Sequence, residues 1–237
     1  LLIIEFLILI NSNYLNNPLP NLDLFETIFN SLLIIAPFSL IILANQNITK
    51  NKDNQTFKRE LFKIKNNKEI FAALLENEKS ITTQPGSGII LGSQFPKYTI
   101  IKVCNPYCGP CGKVHPILDK LIEENQETRL QIVFYSSMNE SDLKFKTVSF
   151  FMTLSRLLSE NEMKEALSKW YNSPNKNLDD FIAQYPLAKS IGIEKDMVVD
   201  MHQWCKDNEI TATPTIFING KKLPEMYTTE ELLDILD

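Results

Sequence analysis

Two cysteines separated by two residues are the clearest candidates for chemistry in this sequence. They lie in the segment Asn105–Cys111, which reads NPYCGPC, in a chain with four cysteines in all. A cysteine pair of this spacing fits a redox centre, half of a zinc site or a structural disulfide. Zinc would need a second close-spaced ligand pair, which the other two cysteines and the two histidines do not form. A structural CxxC bridge is uncommon because its tight ring is strained and easily reduced.

The elements around the motif favour the redox interpretation. The β-branched run Tyr98–Val103 (YTIIKV) ends just before it, and helical periodicity runs through Cys111–Asn125. A cysteine at a helix N-terminus is stabilised as a thiolate by backbone N–H groups and by the helix dipole. We therefore predict Cys108 as the nucleophile and Cys111 as the thiol that resolves its mixed disulfides. Gly109–Pro110 sets the start of the helix, because proline suits the first turn.

The remaining pattern alternates strands with helices, which predicts an α/β fold. Further strands are predicted at Ile89–Leu91, Leu130–Tyr135 and Thr215–Asn219, and further helices at Lys68–Glu78, within residues 140–208 and at Thr228–Leu236. In the long helical stretch, Phe145, Phe150 and Phe151 are predicted as core, and His202 and Trp204 as helix packing.

The N-terminal part of the chain has a different character. Leu24–Ala44 contains no charged residue from Thr27 onward. This uncharged run is about as long as a membrane helix needs to be. A buried core helix is the alternative. Together with the apolar run Leu1–Ile10, the uncharged run in Leu24–Ala44 predicts membrane helices over residues 1–45. The start at Leu1 suggests a fragment of a longer membrane domain. Asn45–Asn67 is polar and Lys-rich, so residues 46–85 are predicted as a linker with one short helix.

The motifs resemble those of thioredoxin-fold proteins. CGPC is followed by Pro116, as in the kinked active-site helix of that superfamily, and Thr213-Pro214-Thr215 in ITATPTIFING is similar to its cis-proline loop. The resemblance implies a thioredoxin-like domain over residues 86–237. It also implies that Thr213 and Pro214 lie beside the CxxC and bind the substrate peptide. A helical insertion at about residues 140–208 resembles the DsbA-like branch.

More narrowly, NPYCGPCGKVHP and WCKDNEITATPTIFINGKKLPEMY resemble the thioredoxin domain fused behind bacterial vitamin K epoxide reductase-type membrane domains. This implies a membrane-tethered thiol–disulfide oxidoreductase with an extracytoplasmic, periplasmic domain acting on secreted protein or peptide thiols. Its redox partner would be a membrane domain in cis. No cofactor is expected in the thioredoxin domain, whereas a quinone would bind the missing part of the membrane domain. A reductase or isomerase of the same fold and a redox-inactive peptide-binding module are the alternatives.

Some residues depart from thioredoxin or leave two interpretations. Lys102 stands where thioredoxins commonly have a buried acid, and Tyr107 replaces the tryptophan before the nucleophile. His115, one turn after Cys111, either assists thiolate chemistry or lies on the helix surface. In this fold Cys104 and Cys205 should lie close, as a second disulfide or as two buried thiols.

Charge limits the partners. The formal charge of −5 and the interleaving of basic with acidic residues argue against nucleic-acid binding. Seven basic residues between Lys50 and Lys68 would place this side of the membrane in the cytoplasm by the positive-inside rule. A disulfide-forming domain belongs outside, where disulfides persist. We favour the outside location, because helices preceding this segment could set the orientation.

Overall fold

The computed structural model describes residues 24–191 and 194–236. The chain divides into two compact units, Leu1–Leu61 and Phe62–Asp237. The first helix, α1, runs over Leu24–Lys65, and α2 follows at Lys68–Glu76 with Asn67 as its N-cap. As far as Lys65, the predicted linker is therefore helical. Its Lys, Arg, Glu and Gln residues are good helix formers, and no glycine or proline interrupts them.

The segment that was predicted to cross a membrane, Leu24–Ala44, forms the first part of α1 and contains Pro37. Within the part of the chain that the structure describes, no helix has the length and apolarity required to span a bilayer. The predicted transmembrane helix is therefore not confirmed, and the predicted helix at Leu1–Ile10 lies outside the described residues.

A mixed five-stranded sheet forms the centre of the second unit. Its strands are β1 (Ile89–Gly92), β2 (Tyr98–Cys104), β3 (Thr128–Phe134), β4 (Thr215–Ile218) and β5 (Lys221–Lys222), in the spatial order β1-β3-β2-β4-β5. Strands β2 and β3 are parallel, and the other neighbours are antiparallel. Because β2 and β3 lie inside the sheet, their sequences are mostly continuous apolar runs and do not alternate between apolar and polar residues. All four predicted strands are confirmed to within about two residues at each end.

Helix α3 (Gly109–Glu124) joins β2 to β3 and begins two residues before the predicted start, because Cys108 is its N-cap. Five helices then follow between β3 and β4: α4 (Leu143–Leu157), α5 (Glu160–Asn172), α6 (Leu178–Ala183), α7 (Pro186–Ile191) and α8 (Lys195–Asp207). They correspond to the predicted helical region at about residues 140–208. The last helix, α9, covers only Leu232–Ile235, so the predicted helix Thr228–Leu236 is too long; its first residues form turns instead.

The helical region between β3 and β4 has its own aromatic core. Phe145, Phe150 and Phe151 are buried, as predicted. Trp170 on α5 lies 5.6 Å from Phe151 and 5.2 Å from Phe181 in ring-centroid distance. Edge-to-face contacts of this kind add to the free energy of apolar burial. The region is therefore a packed layer that can hold residues beside the sheet.

Candidate active site

Cys108 is placed by the turn that joins β2 to α3. The Cys108 N–H donates to the Asn105 carbonyl at 3.1 Å, and the Tyr107 N–H donates to the Asn105 side chain at 2.9 Å. Cys108 then caps α3, with its sulfur accepting a hydrogen bond from the Cys111 N–H at 3.2 Å. This position leaves a partly exposed sulfur at the N-terminus of a helix, where a substrate disulfide or thiol can reach it.

The distant TPT segment lies directly beside Cys108. The Thr213–Pro214 peptide bond is cis, and the Thr213 carbonyl oxygen lies 3.4 Å from the Cys108 sulfur. The structure thus brings together two motifs that are 105 residues apart in sequence. The predicted cis-proline is confirmed as a feature of the fold, and the use of Thr213 and Pro214 in substrate binding stays a prediction.

Cys111 has a very different environment although it is only three residues away. Its side chain is buried, whereas Cys108 is partly exposed. Burial, followed by the hydrogen bond with Cys108, raises the pKa of Cys111 to about 12. Cys111 is therefore a thiol at neutral pH and must lose a proton before it can attack a disulfide.

A groove of about 460 Å³ opens between the start of α3 and the cis-proline loop. Pro110 and Pro214 line it beside the cysteines, and it continues towards Leu223 and Tyr227. Lys113, Lys222 and Glu230 also line it, so this surface combines apolar side chains with charges of both signs. A groove beside an exposed thiol offers room for an extended peptide.

The turn before Cys108 is held from the other side by the inserted helices. The Trp170 indole N–H donates to the Pro106 carbonyl at 2.8 Å, and the Trp170 and Tyr107 rings meet edge to face at 5.5 Å. The Tyr107 hydroxyl lies 2.8 Å from the Thr147 hydroxyl. Partial burial raises the pKa of Tyr107. Tyr107 thus fixes the turn to α4 as a neutral hydrogen-bonding group.

His115 lies in the interior, so the alternative that placed it on the helix surface is wrong. It is 1% exposed, and its ring centroid lies 5.3 Å from that of Tyr171. Burial, together with the positive charge of Lys102, lowers the pKa of His115 to about 3. His115 is thus a neutral imidazole one turn below Cys111. Whether it assists thiol chemistry stays a prediction.

Lys102, the departure from the thioredoxin pattern, is fully buried on β2. Its amino nitrogen lies 5.0 Å from the centroid of the Tyr171 ring, a cation–π distance. Among the described residues it has no hydrogen-bond partner. A buried amino group in this state is costly and is seldom retained without a role.

The predicted bridge between Cys104 and Cys205 is not formed: all four cysteines are free thiols. Cys104 instead accepts a hydrogen bond from the Tyr171 hydroxyl at 3.4 Å. Burial and the proximity of Cys104 raise the pKa of Cys205 to about 12. Two buried thiols, the alternative interpretation, therefore describe this structure.

His202 and Trp204 serve packing, as predicted. His202 Nδ1 lies 2.7 Å from the Ser136 carbonyl, and the Trp204 indole N–H donates to the Thr83 carbonyl at 2.7 Å. Over residues 24–191 and 194–236, the structure contains no cluster of three His, Cys, Asp or Glu side chains suited to a metal ion.

Sequence reasoning missed two residues that adjoin the site. Asp119 lies one turn beyond His115, a spacing that could have identified it. Tyr171 belongs to α5, and its ring would lie 3.3 Å from a side chain placed at Gly112. No local sequence signal connects Tyr171 with the CxxC, because only the packing of α5 against α3 brings them together.

Comparison with known structures shows the same fold in bacterial proteins. A periplasmic thioredoxin-like protein from Salmonella enterica serovar Typhimurium is 15% identical, with 66% of this chain and 91% of that chain covered and a TM-score of 0.52. The catalytic domain of Proteus mirabilis ScsC is 16% identical, with 70% and 96% covered and a TM-score of 0.51. BdbD from Bacillus subtilis, in its oxidised form, is 14% identical, with 65% and 94% covered and a TM-score of 0.50.

A search of curated proteins finds no match. The family model described as thioredoxin matches residues 84–237, which contain the sheet, the CxxC and the cis-proline loop. On this match, the chain belongs to the thioredoxin family.

Proposed function

We propose that this protein is a thiol–disulfide oxidoreductase that exchanges disulfides with protein or peptide thiols through Cys108 and Cys111. The observation that carries the proposal is the position of the Cys108 sulfur. It is partly exposed, 3.2 Å from the Cys111 N–H and 3.4 Å from the Thr213 carbonyl. A nucleophilic sulfur is thus held beside a backbone acceptor to which an extended substrate can pair.

In the oxidising direction, a substrate thiolate attacks the Cys108 sulfur of the Cys108–Cys111 disulfide. A new S–S bond forms, the old one breaks, and its electron pair goes to Cys111, which takes up a proton. A second substrate thiolate then attacks the substrate sulfur of the mixed disulfide and releases Cys108 as a thiolate. The substrate loses two electrons and the protein gains them. Cys111, with its high pKa, is retained as a thiol.

The reverse direction defines a reductase or isomerase of the same build. Reduced Cys108 attacks a substrate disulfide, and Cys111 then resolves the mixed disulfide. A redox-inactive binding module is a weaker candidate, because a groove alone needs neither the reactive cap position of Cys108 nor a second thiol behind it.

We further propose that the domain is extracytoplasmic, tethered to a membrane and coupled in cis to a vitamin K epoxide reductase-type domain. One of the structural relatives, the Salmonella protein, is a periplasmic thioredoxin-like protein, which supports the extracytoplasmic location. The uncharged run over residues 27–44, with Ile35, Leu40 and Ile41 exposed, supports an apolar environment for this part of α1. Protease protection of this segment in membrane vesicles tests the tether; full digestion would refute it.

Trapping tests the proposed activity. Cys111→Ser should accumulate mixed disulfides with substrate thiols, because the resolving thiol is gone. Cys205→Ala, which also removes a buried thiol, is the matched control and should accumulate none. If Cys111→Ser traps nothing, the redox proposal is refuted in favour of a binding module.

The reduction potential of the pair sets the direction. A value of about −120 mV indicates an oxidant of the DsbA type, and one of about −270 mV indicates a reductant of the thioredoxin type. Equilibration of the full chain with glutathione buffers of known ratio measures it.

A further inference from the structure

The groove beside the CxxC has one wall that is built from turns. This segment, which we call the outer wall, is residues 223–231, between β5 and α9. It contributes Leu223, Tyr227, Thr228, Thr229 and Glu230 to the lining of the groove. A segment of turns has no helical or sheet ladder to fix its shape, so its contacts with other elements must do so.

The last turn of α1 makes such contacts through Lys65, which belongs to the second compact unit, Phe62–Asp237. Lys65 Nζ donates to both carboxylate oxygens of Glu231, at 2.8 and 3.0 Å. The same carboxylate accepts a hydrogen bond from the Thr228 N–H at 2.9 Å. Lys65 Nζ also lies 5.6 Å from the centroid of the Tyr227 ring, a cation–π distance. Lys65 therefore holds two residues of the groove lining, one through Glu231 and one directly.

The ion pair between Lys65 and Glu231 is partly withdrawn from water. Its side chains are 18% and 29% exposed, whereas those of the pair Lys79–Glu209 are 51% and 78% exposed. A sheltered pair is screened less by salt than an exposed one, and removal of one partner leaves the other charge poorly solvated. The geometry of the outer wall should therefore depend on this pair.

The chain after α1 supports the same side of the groove. Phe71, on α2, is buried, and its ring meets that of Tyr227 edge to face at 5.0 Å between centroids. The Lys222 N–H donates to the Lys79 carbonyl at 2.9 Å, and Lys222 itself lines the groove. The chain between Lys65 and Lys79 thus contacts both the outer wall and β5.

We propose that Lys65 and Glu231 are positioning residues that keep the outer wall in the shape that receives the peptide flanking a substrate cysteine. The inference rests on the proposed oxidoreductase function. Neither residue is among the described ones that line the groove, so both act through Tyr227 and Thr228. The pair should therefore govern the binding of an extended peptide and leave the reaction at the Cys108 sulfur unchanged.

Two disulfides of different size separate binding from reaction. One is a peptide of about nine residues, long enough when extended to follow the groove, with its central cysteine disulfide-bonded to glutathione. The other is cystamine, which is too small to span the groove. Each is mixed at increasing concentration with the reduced full chain, and acid quenching followed by mass spectrometry gives the rate at which the reduced protein is oxidised.

Lys65→Met should raise the peptide concentration that gives half of the limiting rate by about fivefold and leave the limiting rate unchanged, because the lost contacts contribute to binding alone. The rate with cystamine should stay at the wild-type value. Lys65→Arg keeps the cation and should restore peptide binding. Glu231→Gln keeps an oxygen for the Thr228 N–H but loses the charge, so its effect should be smaller. Lys79→Met, which removes the cation of the exposed pair, is the control and should match the wild type.

The outcomes separate this inference from the function on which it rests. If Lys65→Met has the wild-type half-saturating concentration, the positioning role is refuted and the oxidoreductase proposal stands. An equal loss of rate with the peptide and with cystamine would also refute it, because the damage would then extend to the site as a whole. If the wild-type chain reacts with neither disulfide, the proposed function itself fails. Should Lys65→Met not fold, Glu231→Gln decides, and an unchanged half-saturating concentration in that variant refutes the role.

Discussion

The mouth and the floor of the active site differ more than their separation of three residues suggests. The mouth consists of Cys108, the cis-proline loop and the groove beside them. The floor consists of Cys111, His115, Asp119, Lys102 and Tyr171. At the mouth a sulfur is partly exposed and receives a backbone hydrogen bond, whereas the floor sulfur is buried with a pKa raised to about 12. The comparison teaches that burial, not residue type, divides the proposed nucleophile from the proposed resolving thiol.

The largest expected effect comes from removing the sulfur at the mouth. Cys108→Ser should abolish disulfide exchange, because the buried Cys111 thiol cannot reach a bulky substrate. Cys205→Ala should leave exchange intact. Reduction of a disulfide-bonded peptide in single-turnover assays measures both. Substantial exchange in Cys108→Ser would show that the floor thiol acts alone and would remove the distinction between the two regions.

The floor should make the fold sensitive to acid through His115. Its folded pKa, about 3, lies below the ordinary value of 6.5, so its contribution to stability is present above pH 6.5 and is lost as pH falls towards 3. Asp119, raised to about 6, acts in the opposite sense, but its shift is smaller. His115→Gln should therefore reduce the loss of unfolding free energy between pH 7 and pH 4 by about 3 kcal/mol.

Urea unfolding at the two pH values measures this difference. His202→Gln, at a partly exposed histidine, is the control and should keep the wild-type loss. An unchanged pH dependence in His115→Gln would mean that the floor is more hydrated than its burial implies.

The buried amino group of Lys102, at the floor, should lower the free energy of unfolding. Its amino group is buried and, among the described residues, has no hydrogen-bond partner. Lys102→Met fills a similar volume without the polar atom, so the free energy of unfolding at pH 7 should increase by about 2 kcal/mol. Lys120→Met, an exposed change on α3, should leave stability nearly unchanged. A destabilised Lys102→Met would show that this amino group is better compensated than its contacts indicate.

The smallest effect concerns the hydrogen bond that ties the mouth to the insertion. The Thr147 hydroxyl donates to the Leu143 carbonyl at 2.8 Å, so the Tyr107 hydroxyl must donate to Thr147. Tyr107→Phe should lower the free energy of unfolding by about 1 kcal/mol. Tyr98→Phe, outside the site, is the control. An equal effect of both variants in thermal unfolding would mean that the Thr147 contact contributes nothing specific.

The sequence was most informative where the structure depends on residues that are neighbours in the chain. The cap position of Cys108, the strand before it and the helix after it follow from neighbouring residues, and all are confirmed. The helical conformation of the predicted linker up to Lys65 was not foreseen, because polar composition alone does not distinguish a loop from an exposed helix. The segment lacks the glycine and proline that would end a helix.

Pairings between distant residues were harder to predict. Cys104 and Cys205 were expected to be close, but their state depends on what else reaches them, and Cys104 is engaged by Tyr171. His115 was ambiguous because its exposure depends on α5, which covers that face of α3. No spacing within α3 carries this information.

By itself, the sequence determined the chemistry that is available: two thiols at a helix start, a proline loop to stand beside them and a lysine where an acid was expected. These features follow from residue types and their local spacing, which can be read directly from the sequence. The tertiary structure alone decided which thiol is exposed, that His115 is buried, and that Tyr171 contacts both Lys102 and Cys104. Burial and electrostatic environment depend on elements distant in sequence, and these set the pKa values on which the chemistry depends.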